Sequence, residues 1–233
     1  MLQALRNDLQ KAANPAKAKI LQGFFKTGKG EYGEGDIFLG IVVPESRKIA
    51  RKYPVLSLAD ITLLLKSKIH EERLIALLLL VEKFDKAEGK EQDELIEYYL
   101  SSTRFINNWD LVDLSAPQLL GAYLLAHPEK KPVLKKLASS RLLWEKRIAI
   151  VATQAFIRKN QFQDTLQIAE LLLEDTHDLI HKAVGWMLRE VGKRDQAVEE
   201  IFLEKYYQKM PRTMLRYAIE RFDEEKKRYY MRK

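Results

Sequence analysis

From residue 44 onward the chain is one apolar stripe of helical period after another, with no convincing run of strand alternation. Apolar side chains recur at three- and four-residue spacing, which gathers them on one face of a 3.6-residue helix. The pattern predicts helices over 44–53, 58–68, 71–84, 91–101, 109–126, 129–138, 142–159, 163–173, 179–192, 196–208 and 211–222, with Ser57 as an N-cap. Breaks fall at Tyr53-Pro54, Glu88-Gly89, His127-Pro128 and Met210-Pro211, where proline and glycine interrupt a helix. Ahead of residue 44, Leu2, Leu5 and Leu9 form one stripe that Asn14-Pro15 ends. Pro15 then opens a second helix carrying Ile20, Leu21, Phe24 and Phe25. The expected fold class is all-α.

Five of the ten glycines lie between Gly28 and Gly40, so residues 27–36 are expected to form a flexible loop. The stretch matches neither GxGxxG nor GxxxxGK[ST], which argues against a nucleotide site.

The helices also resemble one another. Glu72-Arg73-Leu74-Ile75-Ala76, Lys146-Arg147-Ile148-Ala149-Ile150 and His181-Lys182-Ala183-Val184-Gly185 each lead a basic residue into an apolar stripe. Arg73, Asp110, Arg147 and Lys182 are spaced by 37, 37 and 35 residues. A helix pair repeating at that interval suggests an α-solenoid of HEAT type, in which the second helix of each pair lines one surface. At 233 residues, the chain is read as a single HEAT-like repeat domain over 1–233, long enough to bury a core without a disulfide or metal staple.

Composition narrows the function. There is no cysteine, which excludes a thiolate nucleophile, a Cys-ligated zinc site and an oxidised secreted scaffold. Lys+Arg minus Asp+Glu is 40 − 33 = +7, an excess that points toward a polyanion or an anionic surface. The N-terminal residues carry charges where a signal peptide needs an apolar run, and the longest apolar run, 74–81, is too short for a bilayer. A cytoplasmic protein is expected.

Four places depart from ordinary amphipathic patterning. In Asn107-Asn108-Trp109-Asp110-Leu111-Val112-Asp113, Trp109 and Asp113 are four apart and share a helix face. Pro117 has no N–H for the Asp113 carbonyl, so the helix should kink there and turn Asp113 toward solvent or a ligand. The plainer reading is a capping Asp110, an ion-paired Asp113 and a packed Trp109. Arg147 enters a helix of Ile, Ala and Val, where a solvated edge arginine is the plain alternative. Lys182, Trp186 and Arg189 form another stripe, with Gly185 there for close packing or for room beside a ligand. The segment from Pro211 carries eight Lys/Arg against four Asp/Glu, most simply a solvated end. His177 and His181 are four apart, but no HExxH or carboxylate set accompanies them, so a capped or solvated pair is expected and no metal site.

On the repeat reading, Trp109, Asp113, Arg147, Lys182, Trp186 and Arg189 occupy equivalent helices of successive repeats. Cations suit phosphates, and aromatic faces suit a sugar or a base. A lone carboxylate among cations repels phosphate; it is expected where positive charge develops in the substrate, as on the oxocarbenium-like sugar when an N-glycosidic bond breaks.

These motifs, with the glycine loop, Phe38-Leu39-Gly40-Ile41 and Pro44-Glu45-Ser46-Arg47, resemble the AlkD-type DNA alkylation repair glycosylases over most of the chain. The resemblance implies a right-handed HEAT-like superhelix with a concave DNA-binding face, acting on double-stranded DNA to remove N3- and N7-alkylated purines. It puts the catalytic aspartate at Asp113, the sugar-facing tryptophans at Trp109 and Trp186, and phosphate-binding groups at Arg147 and Arg189, with Lys182 beside them. Asn108 stands where some members have a second tryptophan, a departure that bears on substrate preference. The implied chemistry is monofunctional, needs no cofactor and fits a monomer. The alternatives are a non-catalytic HEAT-repeat module that binds damaged DNA, or one that binds a protein partner.

Overall fold

The computed structural model describes residues 1–232, and among them there is no β-strand; one isolated parallel bridge joins Ile37 and Ile69. The chain forms two compact units, Met1–Ser115 and Ala116–Lys233.

The first unit comprises α1 (Leu2–Ala12), α2 (Pro15–Phe24), α3 (Val43–Ala50), α4 (Leu58–Leu65), α5 (His70–Lys86), α6 (Lys90–Ser101) and α7 (Trp109–Asp113). Local chemistry sets the boundaries. Asn14 Oδ1 accepts from the Lys17 amide and Pro15 opens α2. Ser57 and Asp60 form a capping box at the start of α4, which satisfies two amides that otherwise lack partners. The core helix is α5, where every residue from Leu74 to Leu80 is buried. A helix apolar on all sides belongs in the middle of a domain, and α3, α4, α6 and α7 all pack on it. Arg6 of α1 reaches Glu72 of α5 through two parallel bonds of 3.0 and 3.1 Å.

One stripe behaves differently from expectation. Leu5 and Leu9 are buried as their spacing predicts, but α2 buries none of its residues. Ile20 and Phe24 are 70% and 62% exposed, so the apolar face of α2 stays at the surface and only Phe25, just past its end, enters the core.

The second unit holds a π-helical turn (Pro117–Gly121), α8 (Ala122–Ala126), α9 (Pro132–Ala138), α10 (Leu143–Ala152), α11 (Gln154–Ile157), α12 (Gln163–Leu171), α13 (Asp178–Gly192), α14 (Gln196–Tyr206), α15 (Arg212–Ala218) and α16 (Glu224–Met231). Its centre is α13, against which α10, α12, α14 and α15 pack. The backbones of α13 and α15 come close at Gly185. A Cβ there would lie 2.3 Å from the Met214 carbonyl oxygen and 2.6 Å from Tyr217 Cβ. The glycine therefore serves helix packing, one of its two expected roles.

Two expected long helices are divided. The 109–126 helix stops at Asp113, continues as a turn and resumes as the π-helical turn, in which the Gly121 amide donates to Ala116 O at 2.9 Å. Pro117 supplies no amide to the Asp113 carbonyl, so the α-helical ladder cannot cross it. The 142–159 helix divides at Thr153, whose hydroxyl donates to Ile150 O at 2.6 Å; back-bonding of this kind competes with the backbone ladder. The remaining helices fall within a few residues of their expected bounds. The repeat marks sit alike: Arg73, Asp110, Arg147 and Lys182 lie in the first five residues of α5, α7, α10 and α13. This is an all-α helical-repeat fold.

Candidate active site

In the first unit the candidate residues stand on α7, a helix of five residues. So short a helix does not hold itself together, and its surroundings fix it. Asn108, fully buried, accepts the Trp109 amide on Oδ1 at 2.8 Å. At the other end Ser115 donates to Leu111 O at 2.6 Å and shares a 3.1 Å bond with the hydroxyl of fully buried Tyr99. Burial, with the negative charge of Asp113 adding to it, raises the Tyr99 phenol far above its ordinary value. Trp109 and Asp113 are both half-buried.

Trp109 begins an aromatic ladder. Its ring stacks on Phe25 at 5.0 Å and 13°, Phe25 on Phe38 at 4.9 Å and 22°, and Phe38 on the His70 imidazole at 4.4 Å and 20°. Beneath the ladder lies a polar cluster. His70 Nε2 is 2.8 Å from Asp110 Oδ2, and Nδ1 is 3.3 Å from Asp36 Oδ2. Arg73 Nη2 is 2.6 Å from the same Asp36 oxygen. All four side chains are buried. Burial works against charge on His70, but the bonds to Asp110 and Asp36 outweigh it and raise its pKa above the ordinary value. Burial likewise works against charge on Asp36, and the His70 bond and the Arg73 charge outweigh it, so its pKa is lowered. Glu71, beside His70, accepts the amides of Leu39, Gly40 and Ile41 at 2.8–3.2 Å. Gly40 at φ +84° has room for no side chain, since a Cβ would sit 2.2 Å from Asn14 O.

In the second unit Arg147 of α10 is 5% exposed, and its Nη1 donates to Leu179 O at 2.7 Å, at the start of α13. Lys182, Trp186 and Arg189 follow along α13 at the expected spacing and are all half-buried. Lys182 pairs with Asp178 at 2.6 Å. Arg189 is paired with Glu220 and lies 3.6 Å from Glu190. Glu199 of α14 is 1% exposed and tucks against Gly192. Burial and the charge of Glu200, only partly offset by Arg189, push its carboxyl up to about 9. His177 caps α13, its Nδ1 accepting the Leu179 amide at 3.1 Å. Among the described residues no group of three His, Cys, Asp or Glu side chains is placed to hold a metal ion.

Trp109 and Asp113 thus share a helix in one unit, and Arg147, Lys182, Trp186 and Arg189 occupy adjacent helices of the other. His70, Asp36 and Phe25 are the site residues that sequence reasoning passed over. No helix among the described residues is long and apolar enough to cross a membrane.

The fold has a counterpart among solved structures. A predicted DNA alkylation repair enzyme from Enterococcus faecalis superposes with a TM-score of 0.71 at 16% identity, covering 91% of this chain and 97% of that one. No curated protein matches the chain. The family model described as DNA alkylation repair enzyme matches residues 5–222. That match spans nearly the whole chain and both units, so the protein belongs to the DNA alkylation repair enzyme family and has its role in the repair of alkylated DNA.

Proposed function

We propose that the protein is a monofunctional DNA glycosylase that hydrolyses the N-glycosidic bond of N3- or N7-alkylated purines in duplex DNA. The observation that carries this reading is the Asp113 carboxylate, half-buried one turn from Trp109 on a helix pinned at both ends, in a chain of this family. An N3- or N7-alkylpurine is a cation. When its bond to C1′ breaks, the bonding electrons stay with the base, which leaves neutral, and the positive charge passes to the sugar. No general acid is needed for such a leaving group. Asp113 stabilises the oxocarbenium-like sugar and orients the water that adds to C1′. Trp109 and Trp186 pack on the deoxyribose and exclude bulk water. Arg147, Arg189 and Lys182 engage flanking phosphates, a positioning role that carries no sequence preference. The chain acts as a single HEAT-like domain and as a monomer.

A second reading has its own support. Arg147 is bonded to Leu179 O and Arg189 to Glu220, the pattern expected if these cations serve structure. On that reading the protein binds damaged DNA, or a protein partner, without chemistry. Release of N7-methylguanine from a duplex by the wild type, lost in Asp113→Asn, supports the glycosylase. Lesion-selective, salt-sensitive binding without release supports the second reading.

A further inference from the structure

The His70 cluster lies outside the chemistry described above, yet it reaches the element that carries that chemistry. Asp110 is the second residue of α7, adjacent to Trp109 and one turn before Asp113. Its two oxygens have separate tasks: Oδ1 accepts the Leu111 amide at 2.9 Å, and Oδ2 faces His70 Nε2 at 2.8 Å. The other imidazole nitrogen faces Asp36, at the end of the glycine loop. With a carboxylate on each side, both ring nitrogens donate, so the imidazole carries its proton. The two carboxylates are then balanced by His70 and Arg73. Glu71 takes no part in that balance, being held by three backbone amides. The ring is also the last step of the aromatic ladder that ends on Trp109. The imidazole therefore holds α7 directly through Asp110, and it stacks on Phe38, which leads through Phe25 to Trp109.

We propose that His70 is the positioning residue of this site: clamped between Asp36 and Asp110, it fixes α7 and with it the orientation of Trp109 and Asp113. The inference rests on the glycosylase reading for its consequence in catalysis, but not for the clamp itself. His70 and Asp110 also line an apolar cavity of about 320 Å³ in the first unit, so a small heterocycle can reach the space a shortened side chain would leave.

The test compares wild type, His70→Ala, His70→Gln, and His70→Ala with added imidazole, by amide hydrogen exchange and by release of N7-methylguanine from a duplex. Faster exchange over residues 109–115, with residues 74–80 still protected, is expected in both variants. Release should fall about ten- to hundredfold in kcat, with KM nearly unchanged, and imidazole should restore both readouts in His70→Ala. Unchanged exchange over 109–115 overturns the clamp, as does slower release with that segment still protected. If His70→Ala fails to fold, His70→Gln decides on the same two readouts. If the wild type releases no base, the glycosylase reading fails, and the exchange data alone decide whether the clamp exists.

Discussion

Replacing Glu199 by Gln should make the second unit less sensitive to rising pH. The Glu199 carboxyl is 1% exposed, Oε1 is buried without a hydrogen-bond partner, and Oε2 lies where a Cβ on Gly192 would sit. Burial, with the Glu200 charge, lifts its pKa from an ordinary 4.5 to about 9. The sign follows directly. Above pH 4.5 the unfolded chain gives up this proton and the folded chain keeps it, so the unfolded state binds fewer protons and stability falls as pH rises. The loss begins near the unfolded value, grows by about 1.4 kcal/mol per pH unit, and stops once pH passes the folded value. Both pH 6 and pH 8 lie inside that window, so the group makes the wild type about 2–3 kcal/mol less stable at pH 8 than at pH 6. Glutamine has nearly the shape of the protonated acid and does not titrate. Urea unfolding followed by tryptophan fluorescence reads the second unit through Trp144 and Trp186. The stability of Glu199→Gln relative to wild type should rise by that amount from pH 6 to pH 8. An equal difference at the two pH values would refute the claim that Glu199 is protonated in the fold.

Three other substitutions probe the second unit. Gly185→Ala brings a Cβ within 2.3 Å of a backbone carbonyl; overpacking should outweigh the roughly 1 kcal/mol helix-propensity gain and leave a net loss of about 1–2 kcal/mol. A melting temperature at or above wild type would contradict the packing role. Glu220→Gln releases Arg189, and since an exposed pair is worth at most about 1 kcal/mol, duplex affinity should rise by up to about fivefold. Fluorescence anisotropy should find that gain absent in an Arg189→Gln background; a gain that persists there would separate it from Arg189. Arg147→Gln should reduce the slope of log affinity against log salt by about one. Lower thermal stability with an unchanged slope would assign Arg147 to structure alone.

Much of this architecture is legible residue by residue. Asn14, Ser57 and Pro117 act through local rules of capping and missing amides, so their consequences can be read from the chain, whereas Gly185 is decided by its distant neighbours Met214 and Tyr217. Trp109 with Asp113, and Lys182 with Trp186 and Arg189, share faces by helical spacing alone. The His70 cluster is not legible in that way. Four titratable residues in a row, His70 to Arg73, ordinarily mark a solvated first turn, yet all four are buried. Their partners come from distant segments: Asp36, Asp110, the amides of residues 39–41, and Arg6. The same holds for Arg189 and Glu220, which are 31 residues apart. Ile20 and Phe24 have the spacing of a buried stripe but remain exposed, because periodicity identifies an apolar face without saying what covers it.

The central claim is that Asp113 supplies the carboxylate for base excision. The most direct measurement is the single-turnover rate of base release from a duplex carrying one N7-methylguanine, for wild type and Asp113→Asn. Duplex binding and hydrogen exchange of residues 109–115 should be checked in both proteins. The account predicts release by the wild type and a loss of at least about a hundredfold in the variant, with binding and α7 protection retained. Equal rates in the two proteins would contradict it.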